Sequence, residues 1–199
     1  MPLPQRPRNR PAPIFGQGSI KMVGRSDRLG RIRRAALLGV GIAIATFQLC
    51  GFLGVRINTL PSLPMGLYVT TVDGSAKLVE FCLGEPFATL SIVRGYRHRG
   101  TCGDGGAPLL KPIIAKPGDV VEVSSLGLSV NGRLLPNTAP LATDTRGQRL
   151  EAWPSGRYVV APGTVWVASP YHRRSFDSRY FGPVSTAAIR HRLKAFLLL

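Results

Sequence analysis

Two residues of this chain, Ser62 and Lys111, carry the combination needed for acyl transfer without a histidine. A serine hydroxyl attacks a carbonyl only when a neighbouring base takes its proton. A lysine is such a base only when neutral, and burial among apolar groups favours the neutral amine, in extreme cases by roughly 3–5 pKa units. Ser62 lies in N-T-L-P-S-L-P-M-G-L-Y (Asn58 to Tyr68), between two prolines that restrict the local backbone and could fix the direction of the hydroxyl. Lys111 lies in L-L-K-P-I-I-A-K-P-G-D (Leu109 to Asp119) and is the single charge of its apolar stretch, whereas Lys116 sits in the turn that follows. A third run, S-F-D-S-R-Y-F-G-P (Ser175 to Pro183), places a hydroxyl, a carboxylate and a guanidinium at alternate positions: Ser175, Asp177 and Arg179. In a strand these would share one face. Asp177 could then pair with Arg179, and Ser175 could hydrogen-bond a neutral lysine amine. Each run also has a plainer reading: a turn, an outward-pointing lysine on an edge strand, and a surface ion pair. Their company in one chain favours the chemical reading.

The elements that would position these residues are mainly β. Short β-branched runs are broken by turn signals, the pattern of an all-β sandwich or barrel-like domain. Strands are expected at Gly66 to Val72, Leu109 to Ala115 and Val120 to Val123. Pro112 suggests an edge or a bulge for the second of these. Lys116 to Asp119 reads as a turn, and Leu128 to Leu135 as a hairpin, because Asn131-Gly132 suits a type I′ turn. Arg157 to Val160 and Thr164 to Ala168 flank a turn at Pro162-Gly163. An amphipathic helix is expected from about Ala187 to Leu198. Residues 83–108 read as a loop-like insertion, and the chain holds no internal repeats.

The 199 residues leave room for one sizeable domain and an anchor. The net charge is +16, with 26 basic and 10 acidic residues. Half of that excess lies in residues 1–34, directly before A-A-L-L-G-V-G-I-A-I-A-T-F-Q-L-C-G-F-L-G-V (Ala35 to Val55). This uncharged stretch matches the length of about 20 residues that a helix needs to cross a bilayer. The cluster R-L-G-R-I-R-R before it, against the single Arg56 after it, predicts a cytoplasmic N-terminus and an exported remainder. The expected organisation is therefore a basic, disordered cytoplasmic tail (1–34), a transmembrane helix (35–55) and an exported β domain (56–199). Ser62 would stand at most about 25 Å of extended chain from the membrane edge. A cleaved signal peptide fits poorly, because the apolar run is long and no A-x-A site follows. The export topology leaves no role for nucleic-acid binding. In an oxidising compartment Cys82 and Cys102 could form a disulfide or remain two buried thiols. No cofactor is expected. His98, His172 and His191 are scattered and no C-x-x-C occurs, so no metal site is expected either.

Taken together, the three runs resemble those of the type I signal peptidases, serine peptidases of family S26. In that family the base lysine stands eight residues before the Asp of a P-G-D turn, as Lys111 stands before Asp119. Its S-x-D-S-R-Y-x-G motif is matched by Ser175, Asp177, Ser178, Arg179, Tyr180 and Gly182. The run Pro61, Ser62, Pro64, Gly66, Leu67, Tyr68 resembles more closely the TraF-type peptidases of conjugative transfer, which also share S-F-D-S-R-Y-F-G-P. The resemblance covers roughly residues 35–199. It implies a signal-peptidase-like β domain anchored by one membrane helix in the bacterial inner membrane, with the catalytic domain periplasmic. Ser62 would be the nucleophile, Lys111 the base and Asp177 the third essential residue, with Ser175 and Arg179 in support. It also implies a pilin precursor as substrate, released linear or cyclised, and partners in conjugative secretion and pilus assembly. A general secretory signal peptidase and a non-catalytic pilus-assembly protein are the alternatives. A Ser–His–Asp hydrolase is disfavoured by the absence of G-x-S-x-G. Two departures stand out. Leu60 occupies the place of the family's oxyanion-stabilising hydroxyl, leaving Thr59 or a backbone group beside the Ser62 N–H. Ala168-Ser169-Pro170 stands near where the family has G-D-N.

Overall fold

A computed structural model describes residues 26–52 and 54–199, so most of the expected basic tail lies outside the described residues. The chain divides into two compact units, Met1–Gln48 and Leu49–Leu199. The first is described by one helix, α1 (Ser26–Phe52). It begins at Ser26 rather than Ala35 and takes Arg28, Arg31, Arg33 and Arg34 into its first turns. The expected transmembrane helix is not supported: among the described residues, no helix is long and apolar enough to cross a membrane. Leu37, Leu38, Ile42 and Ile44 on α1 are exposed.

The second unit is mainly β. A seven-stranded sheet contains β1 (Val55–Asn58), β2 (Gly66–Thr71), β3 (Leu78–Phe81), β4 (Leu109–Ala115), β9 (Thr164–Val167), β10 (Val184–Ser185) and β11 (Ile189–Leu198). Its order is β1-β2-β11-β3-β4-β9-β10, and every pairing in it is antiparallel. A four-stranded sheet has the order β7-β6-β5-β8, from β5 (Val120–Ser124), β6 (Gly127–Val130), β7 (Arg133–Leu134) and β8 (Gly156–Val159). Two short helices, α2 (Phe87–Val93) and α3 (Ser178–Phe181), complete it.

Strand alternation explains why there are two cores. From β9, Val165 and Val167 enter a cluster with Val79, Phe81, Phe181 and Val184. The intervening Trp166 and the following Ala168 enter the other, with Val121, Val123, Leu128 and Val160. The β6–β7 turn forms as its Asn-Gly pair requires, with φ of 50° at Asn131 and 81° at Gly132.

Three expectations are corrected. The C-terminal segment is not a helix: β11 is a ten-residue strand inserted between β2 and β3. Tertiary pairing on both flanks outweighs the helical periodicity of Ile189, Leu193 and Phe196. Pro112 is not on an edge, because β4 pairs with β3 on one side and β9 on the other. The ladder accommodates it beside a register shift between Ile113 and Ala115, the bulge that proline also allows. The insertion at 83–108 is not simply loop. It holds α2 and is tied at its base by a disulfide between Cys82 and Cys102. Arg97 is buried within it, bonded to Ser91 Oγ, the carbonyls of Ala88 and Ala107, and the Asp104 carboxylate.

Candidate active site

Lys111 is set by its strand. In β4 it lies opposite Val79, a fully buried residue, and only 5% of Lys111 itself is exposed. Its Nζ donates to Ser175 Oγ at 2.9 Å. Burial pushes the lysine down to about 8 from 10.5; the Asp177 charge pulls it back up, and Arg179 pushes it further down. At pH 7 about a tenth of such lysines are neutral, against a few in ten thousand for an exposed one.

Asp177 and Arg179 do not share a strand face with Ser175. The run turns into α3, with Asp177 as its N-cap: the carboxylate accepts from the Arg179 N–H. Gly182 ends the helix at φ 70°, and a Cβ there would meet the Trp153 ring at 2.7 Å. Arg179 therefore comes back onto Asp177, with Nε 2.8 Å from Oδ1 and Nη2 2.9 Å from Oδ2. Both side chains are fully buried. The remaining guanidinium protons go to the carbonyls of Asn137, Arg173 and Ser169, as a buried charge requires. Asp177 makes no hydrogen bond to Lys111 or Ser62, so it acts on the lysine through its charge.

The loop that carries Ser62 is held by its carbonyls. Asn58, buried at the end of β1, donates Nδ2 to Leu60 O, Leu63 O and Pro64 O at 2.9, 3.2 and 3.1 Å. Tyr68 Oη donates to Pro64 O, and the Leu199 N–H to Met65 O. The carbonyl of Ser62 accepts from Ser169 Oγ at 2.5 Å. Neither Asn58 nor Ser169 stood out as a site residue in the sequence. For Asn58 the available signal was an amide two residues before a proline-flanked turn; for Ser169 it was its place where G-D-N is missing.

Ser62, Lys111 and Ser175 line one cleft of about 310 Å³, together with Leu60, Leu109 and Leu141. Thr59 is exposed and not among the lining residues, so it is poorly placed as a second oxyanion donor. One wall is an aromatic series in which Tyr96, Phe176 and Tyr180 contact in turn, with centroids 5.0 and 5.7 Å apart. The two phenols hold the segment opposite: Tyr96 Oη donates to Asp144 and Tyr180 Oη accepts from the Leu141 N–H. A partly neutral lysine, a serine on a fixed loop and an apolar trough can together bind an extended peptide and transfer its acyl group.

The comparisons give the family. The sequence profile of the family described as "Signal peptidase, peptidase S26" matches residues 31–198. The plasmid transfer protein TraF of Escherichia coli is 34% identical over 173 residues, covering 81% of this chain and 95% of that one. The probable conjugal transfer protein TraF of Sinorhizobium fredii is 34% identical over 170 residues, covering 80% and 88%. A crystal structure of a signal peptidase I from Enterococcus faecalis overlaps 63% of this chain and 99% of its own, at 23% identity and a TM-score of 0.35. By the family match and by its relatives, the chain belongs to the signal peptidases of family S26.

Proposed function

We propose that this protein is a membrane-bound serine endopeptidase that uses Ser62 and Lys111 to process a pilin precursor for conjugative transfer. The observation that carries this reading is the buried Lys111 amine, held by Ser175 in the cleft that Ser62 also lines. Neutral Lys111 takes the Ser62 proton as Ser62 Oγ bonds to the scissile carbonyl carbon. The tetrahedral species collapses, the lysine ammonium protonates the departing amine, and an acyl-enzyme remains. Water or a second amine then attacks the ester carbonyl while Lys111 takes its proton; the acyl C–O bond to Ser62 breaks and the ammonium returns that proton to Ser62 Oγ. An amine acceptor within the precursor would give a cyclic product. The relatives' names, which speak of plasmid and conjugal transfer, support a role in conjugal transfer; the pilin precursor as substrate is what the resemblance of the three runs implies.

Three features support a site at the outer face of the inner membrane, with the N-terminus cytoplasmic. They are the arginine cluster of 28–34, the disulfide, and exposed apolar side chains near the nucleophile loop: Ile57, Leu60, Met65, Phe196 and Leu197. The test is mass spectrometry of the pilin precursor in membranes bearing the wild-type protein, Ser62→Ala or Lys111→Ala. Mature pilin with the wild type alone is the expected result. The same mature pilin with all three would remove the dyad from the mechanism. A product lighter by one water than the linear peptide would identify cyclisation.

A further inference from the structure

We propose that Ser169 is the positioning residue through which the Asp177–Arg179 pair sets the orientation of Ser62. This role rests on the Ser–Lys reading above. Ser169 is fully buried and uses each of its polar atoms. Its N–H donates to Asp177 Oδ2 at 3.0 Å, and its carbonyl accepts from Arg179 Nη2 at 3.3 Å. Those two bonds fix the backbone of Ser169 from both sides of one peptide plane pair. Its hydroxyl accepts from the Tyr171 N–H at 3.2 Å and donates its own proton to the Ser62 carbonyl.

Among the described residues, this is the hydrogen bond that joins the nucleophile loop to the segment carrying Asp177. The neighbouring carbonyls at Leu60, Leu63, Pro64 and Met65 have other donors, whereas that of Ser62 has Ser169. The loop therefore keeps its course without Ser169, but the peptide plane that follows the Ser62 Cα loses its tether. Rotation of that plane moves the attacking oxygen relative to the lysine amine, and small errors in such geometry are costly in rate. The arrangement gives Asp177, which hydrogen-bonds to neither member of the dyad, a route to Ser62.

The experiment compares full-length wild-type protein with Ser169→Ala in detergent, by amide hydrogen exchange and by turnover of the pilin precursor. Exchange at the amide of Leu63, which shares its peptide plane with the Ser62 carbonyl and donates to Leu60 O, is expected to quicken about tenfold as that plane loosens, with the sheet unchanged. kcat is expected to fall about ten- to a hundredfold, with KM unchanged and the midpoint of the pH profile unmoved, because the base is untouched. Ser169→Ala should cost much less in an Asp177→Asn background, where the relay is already slack. Unchanged exchange in the loop overturns the proposal, as does a loss of kcat that multiplies in full with Asp177→Asn. If the wild type does not turn over the precursor, the peptidase reading fails, and the exchange arm still decides whether Ser169 tethers the loop. If Asp177→Asn does not fold, the same arm on Ser169→Ala alone decides.

Discussion

Two buried cations stand close to one another in this molecule and meet opposite treatment. Arg179 is fully buried, paired with Asp177 through two hydrogen bonds, and its other protons are taken by three carbonyls. Lys111 is nearly as deep, and among the described residues its hydrogen-bond partner is one serine hydroxyl. A guanidinium cannot shed its charge, so the fold supplies everything that charge needs. An ammonium can, and an incomplete shell of partners makes losing the proton the easier course. The difference separates a cation that holds the structure from one whose proton can leave, and it can be broken at either end.

The largest effect is expected at the lysine. Lys111→Met keeps the length and removes the base; Lys111→Arg keeps a cation that cannot act as one. Both should lower kcat/KM by about a thousandfold or more. Their stabilities should part, and the sign follows from the direction of the shift. The folded pKa is depressed to about 8 from 10.5, so folding expels a proton between those values. The wild type therefore carries a cost of a few kcal/mol below pH 8, which is relieved as pH rises to about 10.5. Lys111→Met removes that cost and should be more stable at pH 7 by about 1–3 kcal/mol, with no such rise in alkali. Lys111→Arg should be less stable than wild type at every pH, as a second buried guanidinium without a carboxylate. Urea titrations of the full chain at pH 7 and pH 10 decide this. A methionine variant less stable than wild type at pH 7 would remove the idea that Lys111 is a strained base.

Next in size is the other half of the contrast. Asp177→Asn leaves the Arg179 charge buried without its counterion, which should cost about 3–5 kcal/mol of stability. The Asp177 charge also raises the lysine, and Arg179 lowers it. Removing the first leaves the second unopposed, so the activity that survives should have its midpoint at lower pH than wild type. A midpoint that stays put or rises would show that Asp177 reaches the lysine by some route other than its charge.

How far this contrast was legible in the sequence depends on which contacts were local. Lys111 between leucines and isoleucines allowed a buried amine beside the plainer reading of an outward-pointing one, and the Asn131-Gly132 and Lys116 to Asp119 turns announced themselves through residues two or three apart. The pairing of Asp177 with Arg179 is equally local, although the backbone that makes it is a capped helix and not the strand face expected. What could not be read is what the fold alone brings together. Ser169 lies 107 positions from Ser62, whereas the bond of Lys111 to Ser175, across 64 positions, was legible as a hydroxyl able to meet a neutral lysine. The strand β11 was misread for the same reason, since its flanking partners come from the other end of the domain. Asn58 differs: its three bonds are all within six residues, yet one amide serving three carbonyls needs a loop course that composition does not specify.

The smallest effect sharpens the comparison most, because it alters the lysine's single partner and leaves both charges in place. For the wild type, kcat/KM should climb about tenfold per pH unit below 8 and level off above, as the base becomes neutral. The Ser175 hydroxyl accepts from an ammonium more strongly than from an amine, since charged hydrogen bonds are worth about 1 kcal/mol more than neutral ones. It therefore favours the protonated lysine slightly while it aims the amine. Ser175→Ala should lower the plateau about ten- to thirtyfold through lost aim. It should also move the midpoint down by about half a pH unit, because the form it stabilised was the charged one. A profile of kcat/KM from pH 6 to pH 10 reads both. A midpoint displaced upward would mean that Ser175 donates to a neutral Lys111 and favours the base form, which would make the serine a second source of the lysine's depressed pKa alongside burial.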